Sequence, residues 1–263
     1  MFVDAHLHLY DLAECYNFEE TAVHTIVQSL RGNLFCSNSL SLESFLYTEK
    51  LCQQNNLQAT YSFGIHPQNP VSTELYTLEK LLQEKRIQII GEMGFDLYDE
   101  KNRSTFKQQE KIWQVQLDLA LQYNVPILLH LRKATQLVFK YAKVLKKIKA
   151  VLFHGWAGTT VEAHSILNRR INAFFSIGKA ILRGQKSVIN MAKEFPLEYL
   201  VTESDAPYMQ IKNEAFSKAS DIKAVVNKIA KLRFEPEDDT KLREIQDKLK
   251  LQIKQNFVRV FTS

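Results

Sequence analysis

Asp4, His6 and His8 alternate with Val3, Ala5 and Leu7 near the start of the chain. On an extended strand successive side chains point to opposite faces, so the acid and the two imidazoles share one. Two imidazoles one pleat repeat apart can both reach a single cation, and imidazole is the commonest metal-binding side chain. A lone His-x-His pair is also what two hydrogen-bonded core histidines look like. The reading therefore turns on whether matching donors occur elsewhere at matching places.

They do, and each falls at the end of an apolar run. His66 follows the run at 58–64, Glu92 closes 87–92, His130 closes 125–130 and His154 closes 150–154. Asp205 stands two residues past the run at 199–203. Five of the seven histidines fall at such ends, so scatter is a poor account of them. His24 and His164 fall inside helical segments and receive no role.

The elements that must position these groups alternate along the chain. Strands are expected at 2–8, 33–37, 58–64, 87–92, 125–130, 150–154, 172–177 and 199–203. Helical periodicity fills 19–30, 42–54, 73–84, 105–123, 134–147, 160–168 and 186–194. Thr159 and Glu162 have capping-box spacing, and Pro126 and Pro196 stand where a missing donor does little harm. Asp238 and Asp239 precede a last helix with an apolar stripe at Leu242, Ile245, Leu249, Ile253, Phe257 and Val260. Eight strands with helices between them imply a parallel α/β sheet, and eight is the number that closes into a (β/α)8 TIM barrel. An open doubly wound sheet is the alternative. No repeat or linker interrupts the series, so one domain over 1–263 is expected. In such a barrel the active site lies at the C-terminal rim of the strands, where these donors fall.

Composition sets broad bounds. A length of 263 residues suits one barrel, and 45% apolar with 24% charged residues is ordinary for a globular chain. The net charge of +5 permits an anionic partner without demanding one. Cys15, Cys36 and Cys52 are odd in number and lack zinc-type spacing, so free thiols in a reducing cytoplasm are expected. The first strand begins beside Met1, which is read as leaving no room for a signal peptide. The longest apolar run, 125–131, is too short to cross a membrane. No obligate protein partner is indicated.

Six donors, His6, His8, Glu92, His130, His154 and Asp205, exceed the four of a tetrahedral site and suit two divalent cations. Glu92, midway round the barrel, could bridge a cation held by His6, His8 and Asp205 to one held by His130 and His154. Paired metals about 3.5–4 Å apart recur in hydrolases that clamp both the attacking and the leaving oxygen. Four neutral imidazoles and two carboxylates leave a formal charge of about +2 with both ions in place, which a hydroxide and one phosphodiester would neutralise. An anionic substrate is favoured, although neutral amides and lactones are also cleaved at paired metals.

The chain resembles the TatD family of metal-dependent deoxyribonucleases along essentially its whole length. The motifs occur in family order: DAHLH at 4–8, GIHP at 64–67, GEMGFD at 91–96, PILLHLR at 126–132, HGWAG at 154–158 and ESDAP at 203–207. A helix signature with Gln109, Trp113 and Gln116 precedes the fifth strand. The resemblance implies His6, His8, Glu92 and Asp205 on one ion and Glu92, His130 and His154 on the other. It implies a substrate-facing His66 and a phosphate contact at Arg132, whose forked donors suit two oxygens. The sequence departs from the family after Tyr208, where only Asn213 and Glu214 remain of an expected loop. Trp156 and Phe95 also differ from the commonest family residues.

The implied chemistry is metal-dependent hydrolysis of DNA phosphodiesters at single-stranded ends, with water made acidic by the cations and Asp205 as general base. Asp4 and Glu203 are read as groups orienting His6 or holding a loop. Lys101, Arg103, Arg132, Lys133, Lys179, Arg183 and Lys186 could follow a nucleic-acid backbone, and Trp156 or Tyr208 could stack a base. Zinc, manganese and magnesium are the candidate metals. The alternative is a barrel hydrolase of an aminoacyl ester, lactone or small phosphate ester. A non-catalytic nucleic-acid-binding barrel is disfavoured by the donor set.

Overall fold

The computed structural model describes residues 1–261. Thr262 and Ser263, the last residues of the expected domain, lie outside the described residues. Eight parallel strands follow one another round a single sheet in chain order. They are β1 (Val3–Leu7), β2 (Leu34–Ser39), β3 (Ala59–Phe63), β4 (Ile89–Asp96), β5 (Ile127–Arg132), β6 (Val151–Phe153), β7 (Ala173–Ile177) and β8 (Leu200–Thr202). Three bonds bring β8 back to β1: Asp205 N to His6 O at 3.0 Å, His8 N to Ala206 O at 2.8 Å and Thr202 Oγ1 to Val3 O at 2.7 Å. The expected TIM barrel is the fold.

The first helices are α1 (Leu9–Glu14), α2 (Glu20–Leu30), α3 (Leu42–Gln54), α4 (Leu75–Gln83), α5 (Glu100–Ser104) and α6 (Phe106–Gln122). They are followed by α7 (Thr135–Lys140), α8 (Ala142–Leu145), α9 (Thr160–Asn168), α10 (Lys186–Glu194), α11 (Ile222–Phe234) and α12 (Asp239–Phe261). The expected capping box starts α9: Thr159 Oγ1 accepts from Glu162 N at 3.1 Å and Glu162 Oε2 accepts from Thr159 N at 2.7 Å. The helix expected over 134–147 is instead two. They part at Tyr141, whose hydroxyl donates to Glu110 Oε1 of α6 at 2.6 Å.

Aromatic side chains fill the layer between sheet and helices. Phe153 and Phe175 stack with centroids 5.1 Å apart, and Trp113 of α6 packs against Phe95 of β4 at 5.1 Å. The α12 stripe seals the first and last strands. Leu249, Ile253, Phe257 and Val260 are buried, and Asn256 donates to Leu197 O and Leu200 O at 2.6 and 2.7 Å.

Strand β4 runs four residues beyond the expected end at Glu92, through Gly94 to Asp96. A Cβ on Gly94, whose φ is 138°, would collide with His130 O on β5. Glycine there lets the two strands close on each other in a register that pairs Gly94 with His130 and Asp96 with Arg132.

Candidate metal centre

The barrel delivers the donors to one rim. β1 presents His6, β4 Glu92 and β5 His130, while His8, His66, His154 and Asp205 stand on the segments just past β1, β3, β6 and β8. All seven side chains are largely withdrawn from water. Above them opens a cleft of about 970 Å³, lined by His8, His66, Glu92, His130, His154, Asp205, Tyr98, Arg132 and Tyr208 among others.

Glu92 sits at the centre. Its Oε1 lies 2.9 Å from His8 Nε2 and 3.1 Å from His6 Nε2. Its Oε2 lies 3.2 Å from His130 Nδ1, 3.2 Å from His154 Nε2 and 3.4 Å from His66 Nε2. Asp205 Oδ1 is 3.5 Å from His6 Nε2 and 3.8 Å from His8 Nε2. Ring nitrogens also face one another, His6 Nε2 to His8 Nε2 at 3.1 Å and His154 Nε2 to His130 Nδ1 at 3.3 Å.

These spacings fit cations. Donors about 2.1 Å from a tetrahedral metal stand about 3.4 Å apart, in the middle of the observed separations. Three groupings of donors are close enough to share an ion: His6 with His8 and Glu92, His6 with His154 and Asp205, and His66 with Glu92 and His130. The last brings His66 as near as the expected ligands, although the sequence reading turned it toward substrate. Among the described residues His6 Nδ1 has no hydrogen-bond partner, while His8 Nδ1 lies 3.4 Å from Asp11 Oδ2 and His154 Nδ1 3.6 Å from Glu203 Oε1, so all three rings face the centre of the cluster through Nε2.

The electrostatics ask for positive charge. Although burial favours the neutral acid, His6, His154 and His66 hold Glu92 well below the usual carboxylate range. Burial works against a charged His6, yet Glu92 outweighs it and raises the imidazole to about 9. Protons and divalent cations answer the same demand, and ligand imidazoles give up protons when metal binds.

The supporting groups are partly those expected. Asp4 Oδ1 accepts from Ser204 N at 2.9 Å and His6 N at 3.4 Å, tying β1 to the loop after β8. Burial pushes its carboxyl up to about 7, offset in part by the Ser204 bonds. Glu203 Oε1 accepts from Gly155 N at 2.7 Å and lies 3.6 Å from His154 Nδ1, so it both holds a loop and backs an imidazole.

Asp96 was missed by sequence reasoning. Its Oδ2 lies 3.2 Å from His130 Nε2, the ring atom turned away from Glu92, and accepts from Gln68 Nε2 at 2.7 Å. The signal was its position four residues after Glu92, on the same face of one strand. Asn38 was also missed; it donates to Glu92 Oε1 at 3.3 Å from β2, which runs past the expected end to Ser39.

Two expectations are corrected. Trp156 is 4% exposed and packs on Phe153 and Phe175, so its ring is not open to a base. Lys179 is 1% exposed and ion-paired to Glu214 at 2.5 Å and Asp221 at 2.6 Å, so it cannot follow a nucleic-acid backbone. Tyr208 remains half exposed, with its hydroxyl on Asp11 Oδ2 at 2.7 Å and its ring edge-on to His8.

An eight-stranded parallel barrel with imidazoles and carboxylates converging at its C-terminal rim defines the class of metal-dependent barrel hydrolases. Within that class the chain belongs to the TatD family: the family described as TatD related DNase matches residues 3–262. A metal-dependent hydrolase of Methanocaldococcus jannaschii, itself uncharacterized, is 28% identical over 251 residues, 94% of this chain and 92% of that one. A Pantoea ananatis protein named 3'-5' ssDNA/RNA exonuclease TatD is 29% identical over 168 residues, 61% of this chain and 63% of that one. The crystal structure of the TatD homologue YjjV from Escherichia coli superimposes with a TM-score of 0.82 at 21% identity, covering 100% of this chain and 98% of that one. Among the described residues no helix is long and apolar enough to cross a membrane.

Proposed function

We propose that the chain is a two-cation phosphodiesterase that cleaves DNA at single-stranded ends. The observation that carries this is the division of Glu92, one carboxylate oxygen toward His6 and His8 and the other toward His130 and His154. In this reading His6, His8, Glu92 and Asp205 hold one cation, and Glu92, His130 and His154 hold the other. Imidazole-rich donors favour zinc or manganese over magnesium. Bound there, the two ions supply the positive charge that makes water nucleophilic at neutral pH and steadies a leaving oxygen.

The chain's own groups do the rest. Asp205 takes the proton of the attacking water on a carboxylate oxygen. His66 faces the scissile phosphate, and Arg132 on the cleft wall contacts phosphate through its forked donors. Glu203 and Asp96 fix the His154 and His130 rings from behind. The name borne by the Pantoea relative supports a single-stranded nucleic-acid substrate.

A second reading, hydrolysis of a small ester or lactone, draws on Asp11. Its bond to Tyr208 sets a carboxylate at the β1 edge of the cleft, where a long polyanion is repelled. Incubation with end-labelled single-stranded DNA and with a panel of small esters, with and without Mn²⁺, Zn²⁺, Mg²⁺ or chelator, separates the two. Metal-dependent shortening from an end, with about two ions per chain by elemental analysis, is expected. Turnover of small esters alone sinks the nuclease reading.

A further inference from the structure

The rim beyond β4 and β5 gathers, beside Arg132, two cations that the hydrolytic chemistry leaves unassigned, Arg103 and Lys133. Tyr98 stands at the centre of the group, half exposed on the cleft wall. Arg132 Cζ lies 4.1 Å from its ring centroid and Lys133 Nζ lies 4.6 Å from the same centroid. Lys133 Nζ is also 3.5 Å from Tyr98 O, to which Arg103 donates at 3.1 Å.

These charges are poorly compensated. Among the described residues neither Lys133 nor Arg103 has a carboxylate within ion-pair range, and Arg132 reaches only Asp96, at 3.5 Å. The negative face of the Tyr98 ring offsets part of the repulsion between the two cations it gathers. Lys133 holds a left-handed backbone, φ 53°, a conformation that costs a lysine energy and persists only where surroundings impose it. The edge of the cleft at Leu40 and Tyr208 lacks such cations, and the Tyr208 hydroxyl there donates to the Asp11 carboxylate. Arg183 also lines the cleft, on the β7 side, with its guanidinium on Gln210 O. Only across β4 and β5 do two lining cations, Arg132 and Lys133, stand together, so a polyanionic chain whose scissile phosphate lies over Glu92 meets the densest positive charge there.

We propose that Tyr98 and Lys133 extend the Arg132 contact into a subsite for the phosphate one nucleotide beyond the scissile bond, so that two consecutive phosphates are read together. The inference rests on the phosphodiesterase reading above and names the path of its substrate. Lys133 and Arg132 contact the phosphates, and Tyr98 is a positioning residue that holds the two cations side by side.

The test compares wild type with Lys133→Asn, which keeps a residue tolerant of left-handed backbone, and with Tyr98→Leu, which removes the ring's attraction for cations. Each is assayed on the oligonucleotide dT10 and on bis(p-nitrophenyl) phosphate, a diester with no neighbouring phosphate. For Lys133→Asn the loss on dT10 exceeds that on the small diester by roughly tenfold, mainly in KM, as expected for one charge-assisted contact. Fluorescence anisotropy of labelled dT10 across a salt series gives a log–log slope shallower by about 0.7 for the same variant. Tyr98→Leu moves both readouts in the same direction. Equal losses on the two substrates, or a salt slope identical to wild type, overturn the subsite. If wild type cleaves neither diester, the phosphodiesterase reading fails by itself, and the anisotropy series still decides whether Lys133 meets a phosphate.

Discussion

Gln116 grips Ile65 by both of its backbone groups: Ile65 N donates to Gln116 Oε1 at 2.8 Å, and Gln116 Nε2 donates to Ile65 O at 3.2 Å. Seven residues earlier on α6, about two helical turns, Gln109 treats Asp96 in the same way, at 3.0 Å in each direction. One buried helix face thus clamps the segment carrying His66 and the end of the strand carrying Glu92. Gln116→Leu leaves a buried N–H and a buried C=O without partners, at a cost of about 2–4 kcal/mol. Urea unfolding measures this, and a change below about 0.5 kcal/mol, the level of an ordinary surface substitution, rejects the clamp.

Glu92→Gln keeps the shape and removes the charge that both halves of the cluster share. The barrel stays folded by circular dichroism, while bound metal per chain falls. Hydrolysis drops by about a hundredfold or more, since even groups one step removed from a metal cost 10–100-fold. Full turnover by this variant would refute the bridging role.

Asp96→Asn removes the carboxylate behind His130 and leaves the ring free to turn. Metal affinity falls by about 10–100-fold, read by competition with a chromogenic chelator, and the loss is partly recovered at raised metal concentration. An unchanged affinity assigns Asp96 to the loop alone.

Lys179→Met breaks the ion pairs that seat the loop after β8 on the segment after β7. Fully buried pairs cost about 3–5 kcal/mol when one partner goes. Here 30% of the Glu214 side chain and 23% of the Asp221 side chain remain exposed, so about 2–3 kcal/mol is expected after solvent screening. The bond from Ile211 N and then the Lys179 ammonium hold Glu214 below its ordinary value of 4.5. A lowered folded-state value gives stability that is complete above the unfolded value and lost as pH falls through the folded one. The gap between wild type and variant therefore narrows on acidification below about pH 4.5, and a gap that widens there contradicts the pairing.

Most of the fold was legible because each buried parallel strand is built on a short run of mainly apolar residues, separated from the next by a segment of helical or turn character. The errors arose where local signals and tertiary packing disagree. The strand expected over 87–92 stopped short of Gly94, yet that glycine lets β4 continue close against β5, and Asp96 lay hidden beyond it. Helices α1 and α5 span only six and five residues, too short to show a period. α11 carries a clear stripe at Ile222, Val225, Val226, Ile229 and Ala230, but it follows the loop that departs from the family. Histidines at strand ends could be collected from sequence because strand ends share a rim. Lys179 could not be told from a solvated lysine, because both of its carboxylate partners lie more than thirty positions away.

The bond from Asp205 N to His6 O joins positions 199 apart in the chain. On a translating ribosome, adding 5–20 residues each second, the first histidines wait on the order of 10–40 s before their acidic counterpart has been synthesised. The cluster of donors is therefore a late product of assembly: a nascent chain halted before its last strand has imidazoles to offer a metal but cannot complete the nest.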